Sequence, residues 1–105
     1  MNLTGFEGLI KYLNKQKEWS SRTFRGGRRT VGITEHIKKE ISEVIDDPDS
    51  PDEWIDIVIL ALDGAWRTGA TSEQIVSRLL EKQAINFERH FPVPASDDHI
   101  SEHSK

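Results

Sequence analysis

The sequence has no cysteine, so disulfides, thiolate zinc sites and thiol nucleophiles are excluded. Any metal has to be held by oxygen or imidazole. No apolar run approaches the roughly 18 residues of a membrane span. The opening MNLTGFEGLIKYLNK has neither the basic leader nor the long apolar stretch of a secretion signal. A soluble cytoplasmic protein with no membrane partner is expected. Sustained apolar–polar alternation, internal repeats, a P-loop, a dinucleotide-fold glycine pattern and a Gly-x-Ser-x-Gly elbow are also missing. These absences leave helix as the main element and remove several enzyme classes.

What is present fits one domain of 105 residues. A chain of this size buries only about 60 to 70% of the surface its unfolded form exposes, so the core is modest and self-association would help it. The net charge of -4 hides a partition. Residues 1–39 carry nine Lys and Arg against three acids, and residues 40–105 carry five against fifteen. Either these are solvated faces that pair across the fold, or an acidic patch holds a cation while a basic loop receives phosphate. Neither suits generic duplex binding, because the acidic surface repels the phosphate backbone.

Thr4-x-x-Glu7 has the form of a capping box, and Phe6, Leu9, Ile10 and Leu13 follow at i, i+3, i+4, i+7. A first helix is expected from Thr4, fading near Lys17 to Ser20. SSRTFRGGRRTVG, residues 20–32, holds three of the seven glycines and four arginines without a period, and reads as a cationic loop. A second helix from Ile33 or Thr34 to Ile45 places Ile33, Ile37, Ile41, Val44 and Ile45 on one face. DDPDSP ends it, and Ser50 then stands as N-cap with Pro51 at N1 and Glu53 at N3. The third helix carries Ile55, Val58, Ile59, Leu62 and Trp66 to Arg67, and Gly69 stops it. A fourth, capped near Thr71 or Ser72, carries Ile75, Val76, Leu79, Leu80 and Phe87 to about His90. The tail ASDDHISEHSK has one sizeable apolar side chain and is expected to be disordered, giving a domain over 1–94 and a tail over 95–105. The expected fold class is all-α, with four main helices.

Residues three or four apart on a helix share a face. Glu40 and Glu43 therefore project together from the second helix, with His36 one turn earlier. On the third helix Glu53, Asp56 and Asp63 lie near one stripe beside the apolar one. The short DDPDSP turn favours an antiparallel hairpin, on which the carboxylate pairs can converge. Convergent carboxylates repel, and a hard dication resolves the conflict. Mg²⁺ prefers oxygen ligands and keeps waters and substrate phosphates in its shell, which points to phosphate-ester or anhydride chemistry. The same acids have a plainer reading. Glu53 equally suits a capping box with Ser50, and Glu40 and Glu43 suit a solvated helix face. Asp56 and Asp63 have no capping role and sit in the chain's most hydrophobic segment. A di-iron bundle needs Glu-x-x-His pairs and a zinc peptidase needs His-Glu-x-x-His; neither occurs. His36 reads as a boundary residue, and His99 and His103 fall in the tail.

Four blocks in order carry a resemblance: KQKEWSSRTF at 15–24, GITEHIKKEISEV at 32–44, EWIDIVILALDGAWRTG at 53–69 and KQAINFERHFP at 82–92. Together they resemble the MazG-like dATP/dGTP pyrophosphohydrolase family, whose phage members are called MazZ. Glu40-x-x-Glu43 followed by Glu53-x-x-Asp56 resembles the metal signature of the wider all-α nucleoside triphosphate pyrophosphohydrolase superfamily.

The resemblance implies a four-helix MazG-like bundle completed by oligomerisation, as a homodimer or homotetramer, in the cytoplasm (the host's if phage-encoded). It implies cleavage of dGTP or dATP between the α and β phosphates, giving the monophosphate and pyrophosphate. In some phage settings such an enzyme supplies dGMP to a 2-aminoadenine pathway. Mg²⁺, with Mn²⁺ as a substitute, is implied on Glu40, Glu43, Glu53 and Asp56. Glu43, in preference to Glu40, is the implied catalytic residue that orients or deprotonates water. Lys82, Asn86 and Arg89, at i, i+4, i+7, are implied to hold phosphate and sugar. Lys15, Arg28, Arg29 and Arg67 are further phosphate candidates, and Trp19 is a candidate stacking partner for a purine. Asp63 stays open between touching the sugar, bracing an arginine and supporting the metal shell. One departure stands out: the loop reads Thr23-Phe24-Arg25-Gly26-Gly27, where the family is expected to place glycine directly after Phe. The alternative is a non-catalytic dimeric helical module that binds nucleic acid or a partner through the basic loop 22–29; the pyrophosphohydrolase reading expects no nucleic acid.

Overall fold

The computed structural model describes residues 4–89, and every regular element among them is helical. A 3-10 turn over Thr4–Phe6 leads into α1 (Glu7–Phe24), followed by α2 (Thr30–Asp46), α3 (Pro51–Trp66) and α4 (Ser72–Glu88). The all-α, four-helix expectation holds. The tail expected over 95–105, with His99 and His103, and the expected helix end at His90 lie outside the described residues.

The N-terminal boundary differs from expectation, because α1 proper starts at Glu7 with Phe6 as N-cap and no side-chain cap bond. Its far end differs more, since the helix continues through SSRTF to Phe24. Side-chain contacts extend it beyond what local propensity supports. Ser20 is fully buried and its hydroxyl donates to Asp63 at 2.7 Å. Thr23 donates back to the Trp19 carbonyl at 2.8 Å, and Arg22 pairs with Glu18 one turn earlier at 3.2 Å. The α2 helix starts at Thr30, before the expected Ile33, and the Thr34 hydroxyl donates to the Thr30 carbonyl at 2.7 Å. The cationic loop expected over 20–32 therefore contracts to the turn 25–29.

Between α2 and α3 the link is short, and its backbone closes through the Asp47 N–H to the Glu43 carbonyl at 3.0 Å. Ser50 is extended and Pro51 opens the helix, as the spacing predicts. No side-chain cap bond forms at Ser50, so the capping box that offered Glu53 a plain role is absent. The box at α4 does form, with Thr71 and Gln74 bonding reciprocally.

Packing is most extensive between α2 and α3, and α1 rests on α3 and α4. Among the described residues the buried apolar side chains are Leu13, Ile33, Val44, Trp66 and Val76. The stripe expected to bury α3 is mostly uncovered, with Ile55 51%, Val58 48% and Ile59 40% exposed. On α2, Ile41 and Ile45 are likewise exposed. A hairpin has two sides, and α1 and α4 cover only part of it. No described helix is long and apolar enough to cross a membrane.

Arg25 follows α1 with φ 106° and ψ 163°, and it is the only described residue other than glycine with positive φ. This region of backbone space suits glycine and costs other residues about 1–3 kcal/mol. Arg25→Gly is therefore predicted to stabilise the protein by about 1 kcal/mol, the relief exceeding the roughly 0.5–1 kcal/mol that glycine's extra chain entropy costs. Urea unfolding of the two proteins checks it; a less stable variant would show that the turn is not strained.

Candidate metal centre

The short α2–α3 link folds two pairs of acids onto one another. One carboxylate oxygen from each of Glu40, Glu43, Glu53 and Asp56 lies within 4.8 Å of the others. Glu40 is buried, Glu43 and Glu53 are half-buried, and Asp56 is exposed, so the cluster is walled on one side and open on the other. Its charges are unequal. A hydrogen bond with Glu43, then burial and the negative charges of Glu43 and Asp56, raise the Glu40 pKa above the ordinary carboxylate value. Burial first, then the charge of Glu43, raises Glu53. Glu43 moves down, because Glu40 and Glu53 donate hydrogen bonds to its carboxylate. The crowding thus makes Glu40 and Glu53 easier to protonate than Glu43.

Of the buried oxygens without a hydrogen bond, two lie in the cluster: no group outside it donates to Glu40 Oε2 or Glu53 Oε2. A buried acceptor left unpaired costs free energy, so both favour a ligand. His36 Nε2 stands 3.2 Å from Glu40 Oε1 and orients the carboxylate from the other oxygen. The donor set is four hard oxygens. Oxygens on opposite sides of an octahedral Mg²⁺ are about 4.2 Å apart, twice the roughly 2.1 Å metal–oxygen distance. The observed spread of 4.8 Å accommodates such an ion after slight contraction.

The remaining expected contacts fall elsewhere. Lys82 and Asn86 are exposed on α4, and no hydrogen bond or ion pair joins them to the four acids among the described residues. Arg89 is half-buried just after α4, its N–H donating to the Asn86 carbonyl at 3.2 Å. Lys15 is exposed on α1. Trp19, 53% exposed, meets Phe24 edge to face at 5.7 Å, and the Arg29 guanidinium lies 4.6 Å from the Phe24 ring centre.

Asp63 is buried, with one oxygen accepting from Arg67 Nε and the other from the Ser20 hydroxyl. Of the roles left open for it, the structure shows the brace for an arginine. Arg67, expected among the phosphate contacts, is only 6% exposed and gives its donors to protein acceptors. Ser20 and Gln16 are the buried polar residues that sequence reasoning missed. Gln16 donates to the Ile59 carbonyl at 3.0 Å and ties α1 to α3. The available signal was an acid and an arginine four apart within the most hydrophobic helix, the spacing of a helical ion pair.

The described residues form a helical fold whose central hairpin gathers four carboxylate oxygens that could hold one hard divalent cation. The family model for dATP/dGTP pyrophosphohydrolase matches residues 12–105, and the chain belongs to that family, which makes it a nucleoside triphosphate pyrophosphohydrolase. No match was found among curated proteins or among solved structures.

Glu53 has a folded pKa above its unfolded one, so the stability it contributes is present below the ordinary carboxylate pKa and is lost as pH rises. At neutral pH its ionised form burdens the metal-free fold. Glu53→Gln is predicted to raise the metal-free Tm at neutral pH, with the difference vanishing near pH 4. The wild type should gain about 2.7 kcal/mol at a Mg²⁺ concentration a hundred times Kd, and the variant much less. Thermal unfolding in EDTA and in MgCl₂ measures both; equal Mg²⁺ shifts would remove Glu53 from the site.

Proposed function

We propose that this protein is a Mg²⁺-dependent pyrophosphohydrolase that cleaves dGTP or dATP to the deoxynucleoside monophosphate and pyrophosphate in the cytoplasm. The observation that carries this is the convergence of Glu40, Glu43, Glu53 and Asp56 in a member of this family. Bound there, Mg²⁺, or Mn²⁺ in its place, supplies neutralisation of phosphate charge and a lowered pKa for attacking water. The protein's own part begins with protons. Because the Glu40 and Glu53 pKa values are raised, protons compete with the cation for these oxygens, which couples metal affinity to pH. Glu43, already ionised, orients the attacking water and accepts its proton. Water adds across the α–β anhydride, and pyrophosphate leaves with the bridging oxygen.

Substrate contacts are assigned to Lys82, Asn86 and Arg89 for phosphate and sugar, with Lys15 and Arg29 as further cations. Trp19, with half its surface free, offers a face for stacking on the purine. Asp63 serves the substrate through Arg67. The exposed apolar faces of α2 and α3, together with Leu79 and Phe87 on α4, support a homodimer or homotetramer. A second copy is also a means of bringing an α4 polar stripe to the carboxylates. The non-catalytic module lacks an observation in its favour once family membership is known.

Incubation with Mg²⁺ and each common dNTP, followed by product separation, is expected to give pyrophosphate, fastest from a purine substrate. Orthophosphate as the product, or no Mg²⁺-dependent turnover, would overturn the reading. Glu43→Gln should lower kcat by roughly 10²–10⁴ with an unchanged helical CD spectrum. Sedimentation should give a dimer or tetramer, and Val58→Asp should shift it toward monomer; an unaltered assembly would place the interface elsewhere.

A further inference from the structure

The turn 25–29 between α1 and α2 reads Arg-Gly-Gly-Arg-Arg, three cations with no acid among them. Within it the Arg25 side chain donates to the Gly26 carbonyl at 3.2 Å, while Gly26 and Gly27 loosen the backbone. The restraint comes from inside the fold. Arg67 Nη1 donates to the main-chain carbonyls of Arg25 at 2.7 Å and Gly27 at 2.8 Å. Its Nη2 donates to the Ser20 hydroxyl at 2.9 Å and the Ser20 carbonyl at 3.4 Å, and its Nε donates to Asp63. All five guanidinium N–H groups are therefore placed, two of them on the turn itself. The Trp66 ring packs against the guanidinium at 4.4 Å. A second restraint acts from outside, where Arg29 lies over Phe24 and Phe24 rests on Trp19.

Arg25 needs such holding, because its φ of 106° is a conformation that persists only where surrounding contacts impose it. Just beyond it, Arg28 and Arg29 border a cleft of about 320 Å³ between α2 and α3, floored by Ile33, Leu60 and Gly64. We propose that Arg67 is a positioning residue: set by Asp63 and Ser20, it clamps the strained turn by its carbonyls and so fixes where Arg28 and Arg29 present their charge to the triphosphate. This rests on the proposed function, in which the loop cations contact substrate. Arg67 also lines the cleft, but its guanidinium N–H groups are taken up by protein acceptors, so it governs affinity through the turn.

Arg67→Lys keeps the charge but loses the planar fork that spans five acceptors on four residues. Trypsin reports the turn directly, since its sites include Arg28 and Arg29. Cleavage there, mapped by mass spectrometry, should accelerate roughly tenfold in the variant while cleavage elsewhere is unchanged. KM for the preferred dNTP should rise roughly fivefold with kcat within about twofold. Adding Arg25→Gly, which relieves the strain the clamp opposes, should restore protection at Arg28 and Arg29 and return much of the lost KM. A role confined to global stability would instead lower the active fraction and Tm and leave KM alone. Unchanged cleavage of the turn overturns the clamp, and a freed turn with unchanged KM overturns its link to substrate. If Arg67→Lys does not fold, Ser20→Ala removes a single partner of the guanidinium and is judged by the same two readouts, with smaller changes. Should the wild-type protein turn over no nucleotide, the proposed function falls, while the trypsin comparison still decides whether Arg67 holds the turn.

Discussion

Mutual repulsion among four carboxylates is the constraint around which this fold is arranged. Oxygens from Glu40, Glu43, Glu53 and Asp56 lie within 4.8 Å of one another, a spacing at which like charges disfavour joint ionisation. Only a stiff scaffold keeps such groups together. The α2–α3 hairpin provides it, with the most extensive helix–helix packing in the chain, a short link and Pro51 opening α3. The crowding shows in the titration of the acids, with the Glu40 and Glu53 pKa values raised and that of Glu43 lowered. The two unpaired buried oxygens that remain mark what the chain itself does not supply.

Asp63 shows the opposite solution on the same helix. It is as buried as Glu40, yet both its oxygens have protein donors and its charge faces Arg67 directly. Breaking a buried pair of this kind leaves a charge without compensation and typically costs about 3–5 kcal/mol. The comparison gives a physical criterion for sorting buried acids. One whose acceptors are all met within the chain is part of the framework, and one with an orphaned oxygen among like charges is built for a ligand. By that test Asp63 belongs to the framework that holds the α1–α2 turn, while Glu40 and Glu53 have the features of the proposed metal site.

Helical period and spacing sufficed to read four helices and an α2–α3 hairpin on which carboxylate pairs could converge, because these follow from residues close in sequence; the family resemblance singled out Glu40, Glu43, Glu53 and Asp56. The errors have long-range causes. The loop expected over 20–32 shrank because Ser20 is drawn into the core by Asp63 and Arg67, more than forty positions away. Glu53 had two equal readings until the Ser50 side chain proved to make no cap bond. The α3 stripe was read as core because periodicity reports an apolar face without saying what covers it. The same limit applies to Lys82 and Asn86, whose spacing places them on one face of α4 but does not say what that face meets.

The uncovered faces and the metal site bear on the same free energy. One chain buries few large apolar side chains, while Ile45, Ile55 and Val58 stay in water. A small core of this kind has little margin, and holding four acids together draws on it. Under the proposed function, a cation on the carboxylates and a second copy on the apolar faces would each bind the folded hairpin and not the unfolded chain, and each would raise its stability by mass action. Both act through one rigid element. The hairpin that orders the ligands for the cation also presents the apolar faces, and whatever steadies α2 against α3 from one side preorganises the other.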